Sequence, residues 1–206
     1  MTRRRLTSDA GLTLIEVTLM LIVSMAILGA LAPAVAATIR RAETVAATAA
    51  MTDIRNQALK MLDDVQMSFF TINGVGNGTQ VQLLVSDGDM PLECTAIATA
   101  CASWQRAVDN TGGLVDFIER HLVTNNPRGS AANDYPTVDS WKGPYLNSPN
   151  DPDPWGTRYM INVQFLGGST NDVVVLSAGP DEVINTAFAA NPLTAAGDDI
   201  IVLVEA

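Results

Sequence analysis

Apolar residues occupy almost every position of a run near the amino terminus, from Leu12 to about Ala37. Glu16 is the one charged residue inside this run. A helix from Leu12 to Pro33 is about 32 Å long, which is enough to cross the hydrocarbon core of a bilayer. The pattern therefore predicts a hydrophobic transmembrane or assembly helix over residues 12–37.

The next stretch keeps the helical period but is less hydrophobic. It is rich in good helix formers and contains no proline up to about Phe70. Six apolar residues recur there at spacings of three and four: Ile54, Ala58, Met61, Leu62, Val65 and Phe69. One apolar stripe is typical of a helix that lies against a core. We expect an amphipathic helix over residues 38–72, ended by the glycine-rich turn Asn73–Gly78.

Residues 73–206 are predicted to form a globular head. The strand candidates in this region are short, rich in β-branched residues and bounded by turn residues. They are Gln80–Val85, Tyr159–Phe165, Val173–Ser177 and Ile200–Val204, with a short helix predicted at Leu114–Val123. The order of the last three strands indicates a small antiparallel sheet packed on the long helix. The predicted fold class is α+β.

Three cations, Arg3, Arg4 and Arg5, precede the apolar run. Positive charges are retained on the cytoplasmic side of a membrane, so the rest of the chain is expected to face outward. Three interpretations of this amino terminus are open at this point. It is a secretory signal peptide cut at Ala34–Ala36, a plain membrane anchor, or a leader cut just after Gly11 that leaves the apolar helix on the mature protein.

Glu16 favours the third interpretation. An unpaired acidic group in the middle of a membrane costs on the order of 2–3 kcal/mol. Neither a disposable signal peptide nor a plain anchor gains anything from that cost. A cut after Gly11 frees the amine of Leu12 about one helical turn from Glu16. In a helical stack of subunits, the amine of one chain can then meet the glutamate of its neighbour.

The segment Gly11–Val17 resembles the class III signal of type IV pilins and pseudopilins. The resemblance implies a leader peptide at residues 1–11, which a prepilin peptidase removes before it methylates Leu12. It also implies that Glu16 guides assembly, and Pro33 falls where the family has a helix-loosening proline. Leu12 is a departure, because the family usually has Phe or Met at that position.

Motifs in the second half resemble those of the major (G-type) pseudopilin of type II secretion. These motifs are Trp141–Leu146, Asp153–Gly156, and the pair Ser177–Asp181 and Gly197–Ile200. The Asp-Pro-Trp-Gly motif also fits a type I turn, with Asp first, Pro second and Gly fourth. The resemblance implies a type IV pilin-like fold. The segment from about residue 74 to 136 matches no such motif.

Asp181, Asp198 and Asp199 are candidate ligands for one Ca²⁺ in the head, because Ca²⁺ takes six to eight hard oxygen ligands, including backbone carbonyls. The D-x-D-x-D-G spacing of an EF-hand is absent, so two loops must come together. The resemblance implies the same site, although Glu182–Ala196 makes a longer separation than the family has. The alternative is that the Asp198-Asp199 pair is an acidic turn.

Cys94 and Cys101 bracket six residues. An outward-facing domain meets an oxidising compartment, so a local disulfide is expected. Closing so short a loop stabilises by roughly 2–3 kcal/mol in the chain-entropy model. The spacing is not C-x-x-C, which argues against a redox centre.

Charge and composition exclude several classes of function. The chain carries 12 Lys+Arg against 22 Asp+Glu, a net charge of −10, which disfavours nucleic-acid binding. One histidine, His121, cannot build a multi-histidine metal site, and we expect it at the surface. Asp109, Asp116 and Glu119 are interpreted as isolated surface carboxylates, so no enzymatic role is predicted.

The expected function is structural. The chain is predicted to be a single-pass protein of the bacterial inner membrane with its head in the periplasm, where it polymerises into a type II secretion pseudopilus. Expected partners are further copies, minor pseudopilins or pilins, the prepilin peptidase, the inner-membrane assembly platform and, before assembly, membrane lipid. The alternatives are a subunit of an extracellular type IV pilus and a secreted calcium-binding protein or enzyme with a leader cut near Ala36.

Overall fold

The computed structural model describes residues 13–75, 78–92, 102–108, 114–136, 140–147 and 151–205. Its helices are α1 (Leu14–Val65) and α2 (Ile118–Leu122), and its strands are β1 (Leu83–Val85), β2 (Val115–Phe117), β3 (Met160–Ile161), β4 (Val173–Ser177) and β5 (Ile200–Glu205). Short 3-10 turns lie at Pro127–Gly129, Ala131–Asn133, Val163–Phe165 and Gly179–Asp181. The chain divides into two compact units, Met1–Ala42 and Glu43–Ala206, and α1 contributes to both.

In the first unit, every described residue is exposed, and most of the apolar side chains of α1 have no cover. Leu14 is 86% exposed and Met25 is 74% exposed. By length and composition α1 can cross a membrane, with a mean hydropathy of 2.4 over its most apolar window. Pro33 lies inside the helix and does not end it.

In the second unit, one face of α1 is buried, as the spacing of its apolar residues predicts. The buried residues are Ala47, Met51, Ile54, Ala58, Met61, Leu62 and Val65. The helix ends earlier than residue 72, however. Gln66 takes a left-handed conformation with φ 53°, and the amide of Met67 donates to the carbonyl of Leu62 at 3.1 Å. The left-handed residue and this hydrogen bond together close the last helical turn, and the chain then leaves the helix axis.

The sheet has five strands in the order β2-β1-β3-β4-β5. The pairs β1–β3, β3–β4 and β4–β5 are antiparallel, as expected for the last three strands. The pair β1–β2 is parallel, so the sheet is mixed and the prediction of an antiparallel sheet is wrong there. A long connection between β1 and β2 lets the chain return to the same end of the sheet, which a parallel pair requires.

Both faces of the central strands are covered. Leu84, Ile161 and Val175 pack in the same cluster as the buried face of α1. On the opposite face, Met160 and Leu176 pack in a second cluster that contains Trp104, Phe188 and Leu193. All five residues of β4 are buried for this reason, since a strand covered on both sides needs no polar alternation.

Two predicted elements take different forms. The helix expected at residues 114–123 is a strand followed by a single turn of helix, because Val115–Phe117 pairs with β1. The strand expected at residues 159–165 is reduced to β3, and Val163–Phe165 forms a 3-10 turn. Gln80 makes an isolated bridge with Thr71, and the strand expected at 80–85 covers only Leu83–Val85.

Candidate functional site

The amino-terminal end of α1 is built around Glu16. Its carboxylate Oε2 accepts hydrogen bonds from the amide and the hydroxyl of Thr13, both at 3.2 Å. The hydroxyl of Thr13 accepts in return from the amide of Glu16 at 3.3 Å. This reciprocal arrangement is a capping box, which satisfies backbone donors that the first turn of a helix leaves without partners. In the isolated chain, Glu16 therefore has local hydrogen-bond partners.

The capping box was not part of the sequence prediction, although its signal is present. Threonine followed three residues later by glutamate, directly before an apolar run, is the sequence signature of this motif. Gly11 and Leu12, the residues of the predicted cleavage site, lie outside the described residues. Cys94 and Cys101 also lie outside them, so the predicted disulfide stays a prediction.

The three predicted calcium ligands lie in two loops that touch. The loop after β4 contains the turn Gly179–Asp181, and the loop before β5 contains Asp198 and Asp199. Gly179 has φ 72°, and a Cβ at this position would overlap the carbonyl oxygen of Asp198. A glycine is therefore required where the two loops meet.

Asp199 is the buried member of this group. Its Oδ2 accepts from the backbone amides of Asn185 at 2.9 Å and Thr186 at 2.6 Å. Its Oδ1 is buried and has no hydrogen-bond partner among the described residues. Burial raises the pKa of this carboxyl group, and the negative charge of Asp181 raises it further, against the lowering effect of the hydrogen bonds from Thr186 and Asn185.

Asp181 and Asp198 are exposed, and Oδ1 of Asp181 accepts from the amide of Val183 at 3.0 Å. Within the described part of the chain, no group of three or more His, Cys, Asp or Glu side chains is placed to hold a metal ion. The unbonded oxygen of Asp199 nevertheless fits a hard cation, because a buried carboxylate oxygen without a donor needs a proton or a cation. Backbone carbonyls would have to supply further ligands.

The Trp-Lys-Gly-Pro-Tyr-Leu motif contacts both α2 and α1. Trp141 Nε1 donates to the carbonyl of His121 at 3.0 Å, and the amide of Tyr145 donates to the carbonyl of Leu122 at 2.7 Å. Lys142 Nζ reaches Oδ1 of Asp64 on α1 at 2.7 Å. The motif thus joins α2 to the carboxyl-terminal part of α1.

The Asp-Pro-Trp-Gly motif forms the expected turn, with the amide of Gly156 donating to the carbonyl of Asp153 at 2.9 Å. The side chain of Asp153 is buried and accepts at Oδ2 from the hydroxyls of Thr157 and Ser177, both at 2.6 Å. This carboxylate ties the turn to the end of β4, so its role is structural.

His121 and Asp116 are both fully buried, and their predicted surface location is wrong. His121 Nε2 lies 3.1 Å from Oδ2 of Asp116, and its Nδ1 lies 2.9 Å from the hydroxyl of Tyr135. Burial by itself raises the pKa of Asp116, but hydrogen bonds and the charge of His121, with bonds from Arg128 and Arg120, lower that pKa to about 2. No sequence period marks the burial of His121, because Tyr135 and Phe70, which contact its ring, come from other segments of the chain.

Searches of protein-family models, of curated proteins and of solved structures found no match to this chain.

Proposed function

We propose that this chain is a type IV pilin-like structural subunit, a pseudopilin that polymerises into a periplasmic filament of type II secretion and so drives the export of folded proteins. The observation that best supports the proposal is the exposed apolar surface of α1. Its apolar side chains are exposed throughout the described part of the first unit, whereas the same helix buries one face in the second unit. Such an exposed apolar surface needs a lipid or protein partner.

In this proposal, the leader at residues 1–11 is removed by a prepilin peptidase, and the subunit waits in the inner membrane with its head in the periplasm. The capping box lowers the cost of holding Glu16 there, because the carboxylate already has hydrogen-bond donors. During assembly, the carboxylate exchanges these neutral donors for the amine of Leu12 in the adjacent subunit. A charged partner in a low-dielectric surrounding makes the stronger bond.

The partners of the proposed subunit follow from that cycle. They are further copies of the chain, minor pseudopilins, the prepilin peptidase and an inner-membrane assembly platform, with lipid covering α1 before assembly. The chain performs no catalysis in this scheme, and its negative charge disfavours nucleic acid.

We further propose that the loops around Asp199 bind one Ca²⁺. Asp199 Oδ1 supports this, because it is buried and has no donor among the described residues. Asp181 and the carbonyl groups of both loops would complete the oxygen ligands, with Asp198 on the exposed side. The ion would neutralise the repulsion between the carboxylates and hold the two loops together.

The amino terminus of the mature protein tests the proposed function. The full chain, expressed with a prepilin peptidase and purified from membranes, is expected to begin at a methylated Leu12 by intact mass and amino-terminal sequencing. A Gly11→Val variant is the matched control and is expected to remain uncut. A mature chain that begins near Ala37 or Thr38 would overturn the proposal, since the apolar helix would then be a disposable signal.

Electron microscopy then separates the pseudopilus from the alternative filament. Short periplasmic filaments that contain the chain support the secretion function. Long surface fibres made by cells at native expression would instead assign the chain to an extracellular type IV pilus.

A further inference from the structure

Four polar groups form a continuous line through the core of the second unit. They belong to Asp116 in β2, His121 in α2, Tyr135, and Thr71 in the segment after α1. All four residues are at most 1% exposed. Tyr135 Oη lies 2.9 Å from Nδ1 of His121, 3.3 Å from the amide nitrogen of Thr71 and 3.4 Å from its carbonyl oxygen. The ring of Phe70 covers the edge of the imidazole at 5.4 Å.

The charged groups around His121 fix one of its two ring nitrogens. Asp116 faces Nε2, and Asp116 is itself held by Nη1 of Arg120 at 2.8 Å and by the backbone amide of Arg128 at 2.7 Å. A carboxylate only accepts hydrogen bonds, so Nε2 carries a hydrogen in every protonation state of the ring. Tyr135 is the titratable group that faces Nδ1, and any change in protonation occurs at this nitrogen.

We propose that the Tyr135 hydroxyl is a two-position switch that lets His121 take up a proton inside the core. With neutral His121, the hydroxyl donates to Nδ1 and accepts from the amide of Thr71. When Nδ1 takes a proton from solvent, it donates to Tyr135 Oη, and the hydroxyl hydrogen turns to the carbonyl oxygen of Thr71. Both ring nitrogens of His121 and the hydroxyl of Tyr135 have hydrogen-bond partners in both states. The carbonyl oxygen of Thr71 accepts from Tyr135 only in the protonated state.

The surroundings of this line keep Tyr135 protonated and Asp116 ionised. Burial raises the pKa of Tyr135, and the charge of Asp116 raises it further, against hydrogen bonds from Thr71, so the phenol retains its hydrogen. Asp116 stays ionised and accepts from Nε2 in both states.

Proton uptake by His121 therefore changes the hydrogen bonding of Thr71. This residue bridges Gln80 and lies shortly after the end of α1 at Val65. In acid, Thr71 gains a hydrogen bond from Tyr135 at its carbonyl group. The switch thus couples the protonation of the core to the segment that follows α1, and it does so without exposing a charged imidazole. This inference is independent of the proposed function.

The chain has a single histidine and so reports on this switch without ambiguity. The experiment is an NMR titration of the full chain in detergent micelles, which follows the ¹⁵N shifts of the imidazole and the carbonyl ¹³C shift of Thr71. We expect the Nε2–H tautomer at neutral pH, and we expect the Thr71 carbonyl shift to change with the same midpoint as the ring. In Tyr135→Phe, the ring midpoint is expected to move to lower pH by roughly half a unit or more, because the protonated ring loses a charge-assisted bond. The Thr71 response should disappear.

Tyr159→Phe is the matched control, since Tyr159 is another buried tyrosine and makes no hydrogen bond to His121 among the described residues. It should leave both midpoints at the wild-type values. A Thr71 carbonyl that does not respond while the wild-type ring titrates overturns the proposal, and this measurement does not depend on any variant folding. An Nδ1–H tautomer at neutral pH also overturns it, as does a ring that stays neutral until the head unfolds.

Discussion

Buried carboxylates fall into two kinds in this head. Asp116 and Asp153 have hydrogen-bond donors on both oxygens. Asp172 and Asp199 each keep one buried oxygen without a partner among the described residues. The first kind uses both carboxylate oxygens to fix local geometry. The second kind keeps one oxygen that can still accept from a further donor or bind a cation.

Asp116 should stabilise the folded head at pH values above the ordinary pKa of an aspartate. Its pKa of about 2 in the folded chain, against an ordinary 3.8, contributes about 2 kcal/mol of stability. A lowered carboxyl pKa stabilises the folded state above the ordinary value, and this contribution is lost as pH falls from 3.8 toward 2. Asp116→Asn is expected to destabilise by about 3–5 kcal/mol, because Arg120 and His121 lose their anion.

Urea unfolding of the full chain in micelles at pH 5 and pH 3 measures both effects. Asp63→Asn, an exposed carboxylate on α1, is the control and should change stability little. An Asp116→Asn variant as stable as the wild type would contradict the role given to this carboxylate.

Glu16→Ala should separate membrane insertion from assembly. Removing the carboxylate relieves its burial cost in the free subunit, so insertion is expected to stay intact or improve slightly. In the proposed filament, assembly should be impaired, because the amine of the neighbouring subunit is left without an anion. Glu16→Gln is the matched variant, since it keeps an acceptor for Thr13 but lacks the charge. Quantitative immunoblotting of membrane and filament fractions checks both, and normal filament levels from either variant would refute the assembly role.

At the scale of elements, the carboxyl-terminal end of α1 has a left-handed backbone conformation at a residue that is not glycine. Gln66 occupies the left-handed position at which glycine is favoured. Its amide donates to the carbonyl of Asp63 at 3.1 Å, which completes the reversal started by Met67. The apolar stripe continues past this point to Phe69, and this is why the sequence predicted a longer helix. Phe69 still packs partly against the core, but from the following loop.

Gln66→Gly should stabilise the head by about 0.5–1 kcal/mol, because glycine adopts a positive φ without the cost of a Cβ. Gln57→Gly is the control with the same change in composition. It lies inside α1 and should destabilise by about 1 kcal/mol. The midpoint of urea unfolding in micelles measures both, and a Gln66→Gly variant that unfolds earlier than the wild type would count against this description of the helix end.

If the chain assembles as proposed, Pro33 is expected to affect the filament more than the free subunit. Proline removes one backbone hydrogen bond and crowds the preceding turn, yet α1 continues through it in the isolated chain. In the assembled filament, we expect a kink or a melted stretch at Gly29–Pro33, where bending improves packing between helices. A filament map with a fully hydrogen-bonded helix through Pro33 would contradict this prediction.

For the whole molecule, local signals identified the elements that depend on local interactions. The apolar run, the buried stripe of α1, β4 and the Asp153 turn follow from periodicity and turn chemistry. The parallel β1–β2 pair and the burial of His121 depend on contacts between residues far apart in the chain. A hydrogen-bond partner such as Tyr135 leaves no periodic mark near His121, so the sequence placed this histidine at the surface.

Calcium should raise the melting temperature of the whole head. At one hundred times its dissociation constant, a ligand that binds only the folded state stabilises by about 2.7 kcal/mol, a shift of roughly 5–10 °C for a domain of this size. Without calcium, the raised pKa of Asp199 makes the head more stable in acid, and this stability is lost as pH rises through that pKa.

Thermal scans of the full chain in micelles, with millimolar Ca²⁺ or with chelator, measure this shift. Asp199→Asn should abolish it, whereas the control Asp87→Asn, an exposed carboxylate in another loop, should keep it. An equal melting temperature with and without calcium would rule out the site.

The double cover of β4 sets how freely this part of the sequence can vary. A strand with one solvent-exposed face accepts polar replacements at every second position. Tolerated and rejected substitutions therefore alternate along such a strand. Val173–Ser177 has no wet face, and each of its five positions is buried. A saturation library of this chain should therefore show an unbroken block of intolerance at residues 173–177. Tolerance should return in β5 at Leu203, which is 48% exposed.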